Sequence, residues 1–568
     1  MRLVEVRLLD GPNVYLLGPA VRIEVVIGRR RSWYGQRLPG RHSVVRLGAN
    51  VRRADRPTPL REIADWVRRL HRIVLNERVT PSVHRTSEPG HWVVSFPWHE
   101  RGRAEALARA AFRLTERRAD PSRADPPHQA LRAIREADTS PPSWITDMER
   151  RIPSIAISGT NGKSTTTRMI AHILRQAGRH VGVTTSDGVI IDDVLVEEGD
   201  LTGPLGAQRV LRDETVELAV LETARGGILL RGLGYQSSDA AVLTNVSPDH
   251  LDLQGLHTLP ELAEVKGVIA RATRPTGTVV LNADDPLVAG IARGLKARVT
   301  WFSLRPTNPR VRRMTAAGGR AIVLADGWLT EMDGSKRSPI VAAADVPATY
   351  GGAARHNVAN ALAAAGGALG LGASRDQVAE GLRTFRPTAD QMPGRLNLYR
   401  LGRRLVIVDF AHNEAGLRVL MEMVDALVGK RGRRAATVST IVGTAGDRPD
   451  DGLRAVGRTA AQHSDELAIK ETLHYLRGRT RQSTIGELQA GMAEAGVKPA
   501  TVPTYIDEPT AIRGELTNPD RMAGRDDGLP HWLVVMVHED RPAVTATLTE
   551  LGAVPLTDSA EIESFRHS

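Results

Sequence analysis

The stretch Gly159-Thr160-Asn161-Gly162-Lys163-Ser164 follows the apolar run Ile155-Ala156-Ile157 and precedes Thr165-Thr166-Thr167, where a helical pattern begins. No other feature restricts the fold so tightly. A glycine-bounded turn that ends a buried strand and opens a helix aims backbone N–H groups at one point, where the helix dipole favours an anion. Lys163 adds positive charge there, and Ser164 offers a hydroxyl to a Mg2+ ion. The longer loop of motor and switch nucleotidases carries glycine where this chain has Ile157. The short form argues against an ordinary P-loop kinase or GTPase.

From Ile155 onward, apolar strand candidates alternate with helices: 155–157, 218–221, 240–243 and 278–281. Such alternation predicts a parallel sheet covered on both faces, with ligands outside the carboxyl ends of its strands. A second α/β block follows, with strands expected at 405–408, 437–441, 466–469 and 532–537. The expected organisation is α/β throughout: a small N-terminal α/β domain over 1–118, a linker over 119–150, a central domain over 151–393 and a Rossmann-like C-terminal domain over 394–568. A small-residue helix over 357–371 is expected to form the hinge between the last two.

Composition narrows the partners. The net charge of +11 comes mostly from Arg scattered among Asp and Glu, with few aromatics, so no nucleic-acid partner is expected. No apolar run approaches the roughly 20 residues that span a bilayer, so no membrane partner and a cytoplasmic location are expected. The absence of Cys removes disulfides and thiolate metal sites. No Lys precedes Lys163, which makes each remaining Lys a better candidate for a specific task.

Two further motifs fall at predicted strand ends. Leu221-Glu222-Thr223 puts a carboxylate where it can face the phosphate loop and hold a metal ion. Ser247-Pro248-Asp249-His250-Leu251-Asp252 brings a histidine to the same edge. With Leu281-Asn282-Ala283-Asp284-Asp285-Pro286, Arg355-His356-Asn357, Pro393-Gly394-Arg395 and Asp409-Phe410-Ala411-His412-Asn413, the order and spacing resemble the Mur ligase family. Its members join an amine to a carboxylate while splitting ATP to ADP and phosphate, on a three-domain architecture. Within it, Gly199 to Pro204, Leu221 to Leu230, Gly446-Asp447-Arg448 and Ile469-Lys470-Glu471 resemble the cyanophycin synthetase group, as do Gly11-Pro12-Asn13 and the segment 93–114. That group carries an ATP-grasp domain between the two regions; here residues 119–150 stand in its place.

The resemblance implies roles. Gly159, Thr160, Asn161, Gly162, Lys163, Ser164 and Thr165 would hold the ATP phosphates, and Ser164 with Glu222 a first Mg2+. His250 would bind a second Mg2+, and Lys266 matches a lysine that many Mur ligases carbamylate. Asn357 and His412 would contact the base region, Arg395 the phosphates, and Asp409 the ribose or the closing interface. The expected partners are a small-molecule or peptide carboxylate and an amino-acid amine; a homo-oligomer stays open. Arg209, Arg225, Arg231 and Arg477 are candidates for an acidic substrate. The competing reading is a catalytically silent ATP-binding scaffold or regulatory partner of a separate ATP-grasp protein.

Overall fold

A computed structural model describes residues 1–28, 47–118, 121–122, 124–249, 254–428, 436–517, 530–557, 561–562 and 565. Three sheets follow one another along the chain. In the first, β1 (Arg2–Leu9), β2 (Ala20–Val26), β3 (Ser82–Arg85) and β4 (His91–Pro97) pair antiparallel in the order β1-β2-β4-β3. Leu60, Ile63, Ala64 and Val67 recur at helical spacing along the Thr58–Leu70 helix and pack on Val21, Ile23 and Val25 of β2.

The central sheet contains β5 (Ser154–Ser158), β6 (Val181–Thr184), β7 (Gly188–Ile191), β8 (Val194–Glu198), β9 (Leu218–Glu222), β10 (Ser238–Leu243) and β11 (Thr273–Asn282). It continues with β12 (Arg298–Ser303), β13 (Arg320–Ala325), β14 (Trp328–Asp333) and β15 (Lys336–Ala342). Their order is β15-β14-β13-β12-β11-β10-β5-β9-β6-β7-β8. The interior from β13 to β6 is parallel, as the apolar runs predict, and antiparallel hairpins extend both edges. Alternation assigns the faces: Ile155, Ile157, Val220 and Val242 enter one core, while Ala156, Leu221, Ala241 and Leu243 enter the other. At one end, β8 is an edge strand on which Val194, Leu195 and Val196 are exposed between Asp193 and Glu197.

The third sheet holds β16 (Asn397–Leu401), β17 (Arg404–Asp409), β18 (Thr437–Val442), β19 (Glu466–Lys470), β20 (Thr504–Tyr505), β21 (His531–Met536) and β22 (Val554–Leu556). The order is β20-β19-β18-β21-β17-β16-β22, parallel from β20 to β17. Leu405 and Ile407 face one apolar layer and Val406 and Val408 the other.

The helix expected to act as a hinge does not. Arg355–Gly370 lies flat on the central sheet with Val358, Ala361, Leu362 and Ala365 buried. Its small residues serve close packing: a Cβ on Gly366 would come 2.9 Å from Val280 Cγ1, and one on Gly367 3.0 Å from Ile155 Cδ1. A segment this deep in a core cannot swing without opening it.

The first unit is seated on the second by backbone. Asp10 N–H donates to Arg231 O (2.7 Å), Leu233 N–H donates to Pro12 O (2.8 Å), and a Cβ on Gly11 would meet Leu233 O at 1.8 Å. Asn13 shapes this loop, its amide donating to Gly11 O and Gly18 O while its Oδ1 accepts from Tyr15 N. Beyond it, Ile145 N–H donates to Gly234 O (3.0 Å), and the Arg150 guanidinium pairs with Asp239.

Candidate active site

The chain turns sharply after β5 because glycine permits it. Gly162 has φ +82°, and a Cβ there would fall 2.3 Å from Asn360 Oδ1. The loop then opens the Lys163–Gln176 helix. Its shape is fixed from β10: Asn245 O accepts from Thr160 N (2.8 Å), Asn245 Oδ1 from Asn161 N (2.9 Å), and Thr244 Oγ1 donates to Asn161 O (2.7 Å). The central sheet's strand order explains the placement. β5 lies between β10 and β9, so the loop emerges at the switch point where a crevice forms.

A cleft of about 740 Å3 opens there between the second and third sheets. Thr160, Asn161, Gly162, Lys163, Ser164, Thr165, Glu222, Lys266, Asn357, Arg395, Asp409 and His412 all line it. Gly159 stands just behind, where its carbonyl accepts from Lys266 Nζ (2.6 Å). His250 lies outside the described residues, as do Leu251 and Asp252. Of the arginines considered for an acidic substrate, Arg225 and Arg477 line the cleft. Arg209 is exposed and paired with Asp213, and Arg231 is exposed away from the cleft.

Glu222 and Ser164 meet as the sequence predicts: Ser164 Oγ donates to Glu222 Oε1 (3.1 Å), and both residues are buried. Burial pushes the Glu222 carboxyl above its usual range, against the pull of Lys163, Arg395 and the Ser164 hydroxyl. Its second oxygen, Oε2, is buried without a hydrogen-bond partner among the described residues. A buried acceptor left over in this way is costly in a dry site. The donor set of hydroxyl and carboxylate oxygens is the hard-oxygen type that Mg2+ takes, so the residues present fit that ion.

Lys163 and Lys266 are held by backbone carbonyls. Lys163 Nζ rests on Thr160 O (2.8 Å), and burial lowers its pKa although Glu222 and Asp249 oppose the shift. Lys266 is 4% exposed, and burial, with Lys163 nearby, holds its amine well below the ordinary value. Asn357 reaches the cleft wall, but its amide donates to Ala348 O (2.7 Å) and its Oδ1 accepts from Asn360 (3.1 Å).

The third sheet covers the loop through contacts that the sequence did not reveal. Asn161 and Asn413 exchange amide hydrogen bonds at 3.4 and 3.2 Å, and Arg395 Nη2 donates to Ser164 Oγ (3.1 Å). Asp249 accepts from Arg448 Nη1 (2.5 Å) and faces His412 Nε2 at 3.4 Å. Asp187 is held between Arg168 (2.8 Å) and Arg541 (2.7 Å). Arg541 and Arg395 flank the Phe410 ring, with guanidinium carbons 5.3 and 5.0 Å from its centroid. Asp409 accepts from Leu396 N (2.9 Å) and Ala411 N (2.7 Å), and burial raises its carboxyl to about 6. Asp187 and Arg541 carry no local sequence signal, because the residues that pair with them lie tens to hundreds of residues away.

The fold and the cleft are similar to those of Mur ligases: residues 157–368 match the Mur ligase middle domain. Among curated proteins, the chain is similar to the cyanophycin synthetase of Crocosphaera subtropica, 42% identical over 371 residues that make up 65% of this chain and 42% of that protein. The cyanophycin synthetase of Synechocystis sp. is 43% identical over 366 residues, 64% of this chain and 41% of that protein. The chain therefore spans about two fifths of the length of these relatives. A UDP-N-acetylmuramoylalanine--D-glutamate ligase from Nitrobacter winogradskyi is 32% identical over 241 residues, covering 42% of this chain and 45% of that protein. Among solved structures, Mycobacterium tuberculosis folylpolyglutamate synthase complexed with ADP and AMPPCP shares the fold, with a TM-score of 0.50, 21% identity, and coverage of 72% of this chain and 92% of that one. The resemblance read from the motifs is borne out.

Proposed function

We propose that this chain is an ATP-dependent acid–amino-acid ligase that activates a carboxylate as an acyl phosphate and passes the acyl group to an amine. The observation that carries this reading is the meeting of Ser164 and Glu222 beside Lys163, with a carboxylate oxygen left unpartnered among the described residues, under the third sheet, which already touches the loop. The loop amides, Lys163 and Arg395 would bind and neutralise the ATP phosphates, and Ser164 and Glu222 would hold Mg2+. Bound there, the ion offsets the repulsion between phosphate and an approaching carboxylate. His250 would bind a second Mg2+, and a carbamylated Lys266 would add an anionic metal ligand. Burial holds the Lys266 amine well below its ordinary value, and that shift favours the neutral form that reacts with CO2.

In the reaction, the carboxylate oxygen attacks the γ-phosphorus and ADP leaves. The amine then attacks the acyl carbon, phosphate departs, and the amine proton passes to solvent or to a cleft base. The Asn161–Asn413 and Asp187–Arg541 contacts would keep water from the acyl phosphate during its lifetime. The pairing of a carboxylate-bearing peptide with a basic amino acid is the first to test, because the sequence relatives are cyanophycin synthetases.

The test is ADP release by the purified chain with ATP, Mg2+ and a panel of amino acids and peptides. Turnover that depends on both a carboxylate and an amine, and that Lys163→Ala removes, is expected. ATP binding without turnover, together with a co-purifying ATP-grasp protein, would instead establish the scaffold reading.

A further inference from the structure

At the carboxyl ends of β19 and β21 lies a buried polar group that reaches the cleft through His538. Lys470, the last residue of β19, has a fully buried side chain. Its ammonium donates to Glu508 Oε1 and to His538 Nδ1 (3.0 Å). Glu508 is 1% exposed and also accepts backbone N–H bonds from His538 (2.5 Å), Glu539 (3.1 Å) and Asp540 (3.0 Å). The far nitrogen of the imidazole, His538 Nε2, sits 2.9 Å from Ala411 O.

The donors fix the tautomer. An ammonium has no lone pair, so His538 Nδ1 must accept, which leaves the proton on Nε2 to donate to Ala411 O. Burial and the Lys470 charge both disfavour a protonated ring, so the imidazole stays neutral in this state. The relay ends in the turn after β17. There Asp409 accepts from Ala411 N, Phe410 packs edge-on against His538 with centroids 5.4 Å apart, and Asn413 pairs with Asn161 of the phosphate loop.

We infer that Lys470, Glu508 and His538 are positioning residues: they orient the Ala411 carbonyl and so hold the 409–413 turn in the register that places His412 and Asn413 over the phosphate loop. A buried ion pair is weak evidence for stability, because desolvation offsets much of its attraction. It is better suited to specifying one conformation. Here that conformation belongs to a turn in the cleft, and the proposal rests on the cleft being the nucleotide site. Arginine would not replace Lys470, since the chain is crowded there: a Cβ on Gly443 would lie 2.4 Å from Lys470 Cε.

The test compares hydrogen exchange of the ligand-free full chain across 409–413 with that of β18, and adds ADP·Mg2+ titration by calorimetry. His538→Ala should speed exchange in 409–413 about tenfold while β18 stays protected, and weaken ADP binding by a similar factor. His538→Gln, whose amide N–H can still reach Ala411 O, should recover most of both losses. Lys470→Met should behave like His538→Ala. If that variant fails to fold, the His538 pair of variants still decides. Unchanged exchange in His538→Ala overturns the proposal, and so does His538→Gln as damaged as His538→Ala. If the wild-type chain binds no ADP, the ligase reading falls while the exchange experiment still judges the relay.

Discussion

Two strand-end edges face each other across the cleft, and they treat their polar groups in opposite ways. At the ends of β5 and β9, Glu222 Oε2 has no partner among the described residues, and Lys163 and Lys266 donate from their amino groups to backbone carbonyls. At the ends of β17, β19 and β21, the charges are matched inside the protein: Lys470 with Glu508, and Asp409 with two backbone N–H groups. The first edge is incomplete without a ligand. The second is complete and presents a shaped turn to the first. Substitutions at the first should therefore cost activity and spare stability, while those at the second should disturb structure first.

The largest effect expected is at the incomplete edge. Glu222→Gln keeps the shape but removes the metal's anionic partner, and should reduce Mg2+-dependent ADP release by about a hundredfold or more. The metal-free variant should melt no lower than wild type, because a desolvated carboxylate is gone. A Glu222→Gln protein that unfolds readily would break the contrast.

Next comes the seam between the edges. Arg541→Ala removes the cross-cleft partner of Asp187 and one flank of Phe410. It should raise KM for ATP about tenfold in steady-state assays with little change in folding, as expected for a charged pair needed mainly in the closed form.

A smaller effect concerns pH. The Asp409 carboxyl is raised from 3.8 to about 6, so its protonated form is favoured in the folded protein. The stability it contributes is present below pH 3.8 and is lost as pH rises through 6. Denaturation of the ligand-free chain between pH 4.5 and 7.5 should show Asp409→Asn gaining on wild type as pH rises, then levelling above about 6. An unchanging difference would mean that Asp409 is not desolvated.

The smallest effect is a control. Arg209 is exposed and, among the described residues, pairs with its helical neighbour Asp213, so Arg209→Ala should leave kcat/KM within about twofold of wild type.

The sequence made the incomplete edge more legible than the complete one. Lys163, Ser164 and Glu222 each sit at the end of an apolar run, where a polar residue is conspicuous, and β5, β9, β10 and β11 were readable because fully buried strands are continuously apolar. The hairpins β7–β8 and β14–β15 were not: β8 is exposed on every residue, and β14, though buried over Leu329, Thr330, Glu331 and Met332, mixes polar and apolar residues in that run. Glu508 and His538 were invisible for another reason. Their partner Lys470 stands 38 and 68 residues away, and only the third sheet's strand order brings them together. The Arg355–Gly370 helix misled because small residues suit a flexible joint and a tightly packed core equally well.

Strand β8 has a consequence for handling the protein. Val194, Leu195 and Val196 lie on an open sheet edge and carry no lysine or proline to block it. What discourages another strand from joining is the repulsion of the acidic pair Glu197 and Glu198 at one end, since Asp193 at the other is paired with Arg175. That guard is only as strong as its charge. Acidic buffers neutralise it and concentrated salt screens it, so the protein should stay dispersed in dilute neutral buffer and cluster edge to edge when either condition removes the repulsion.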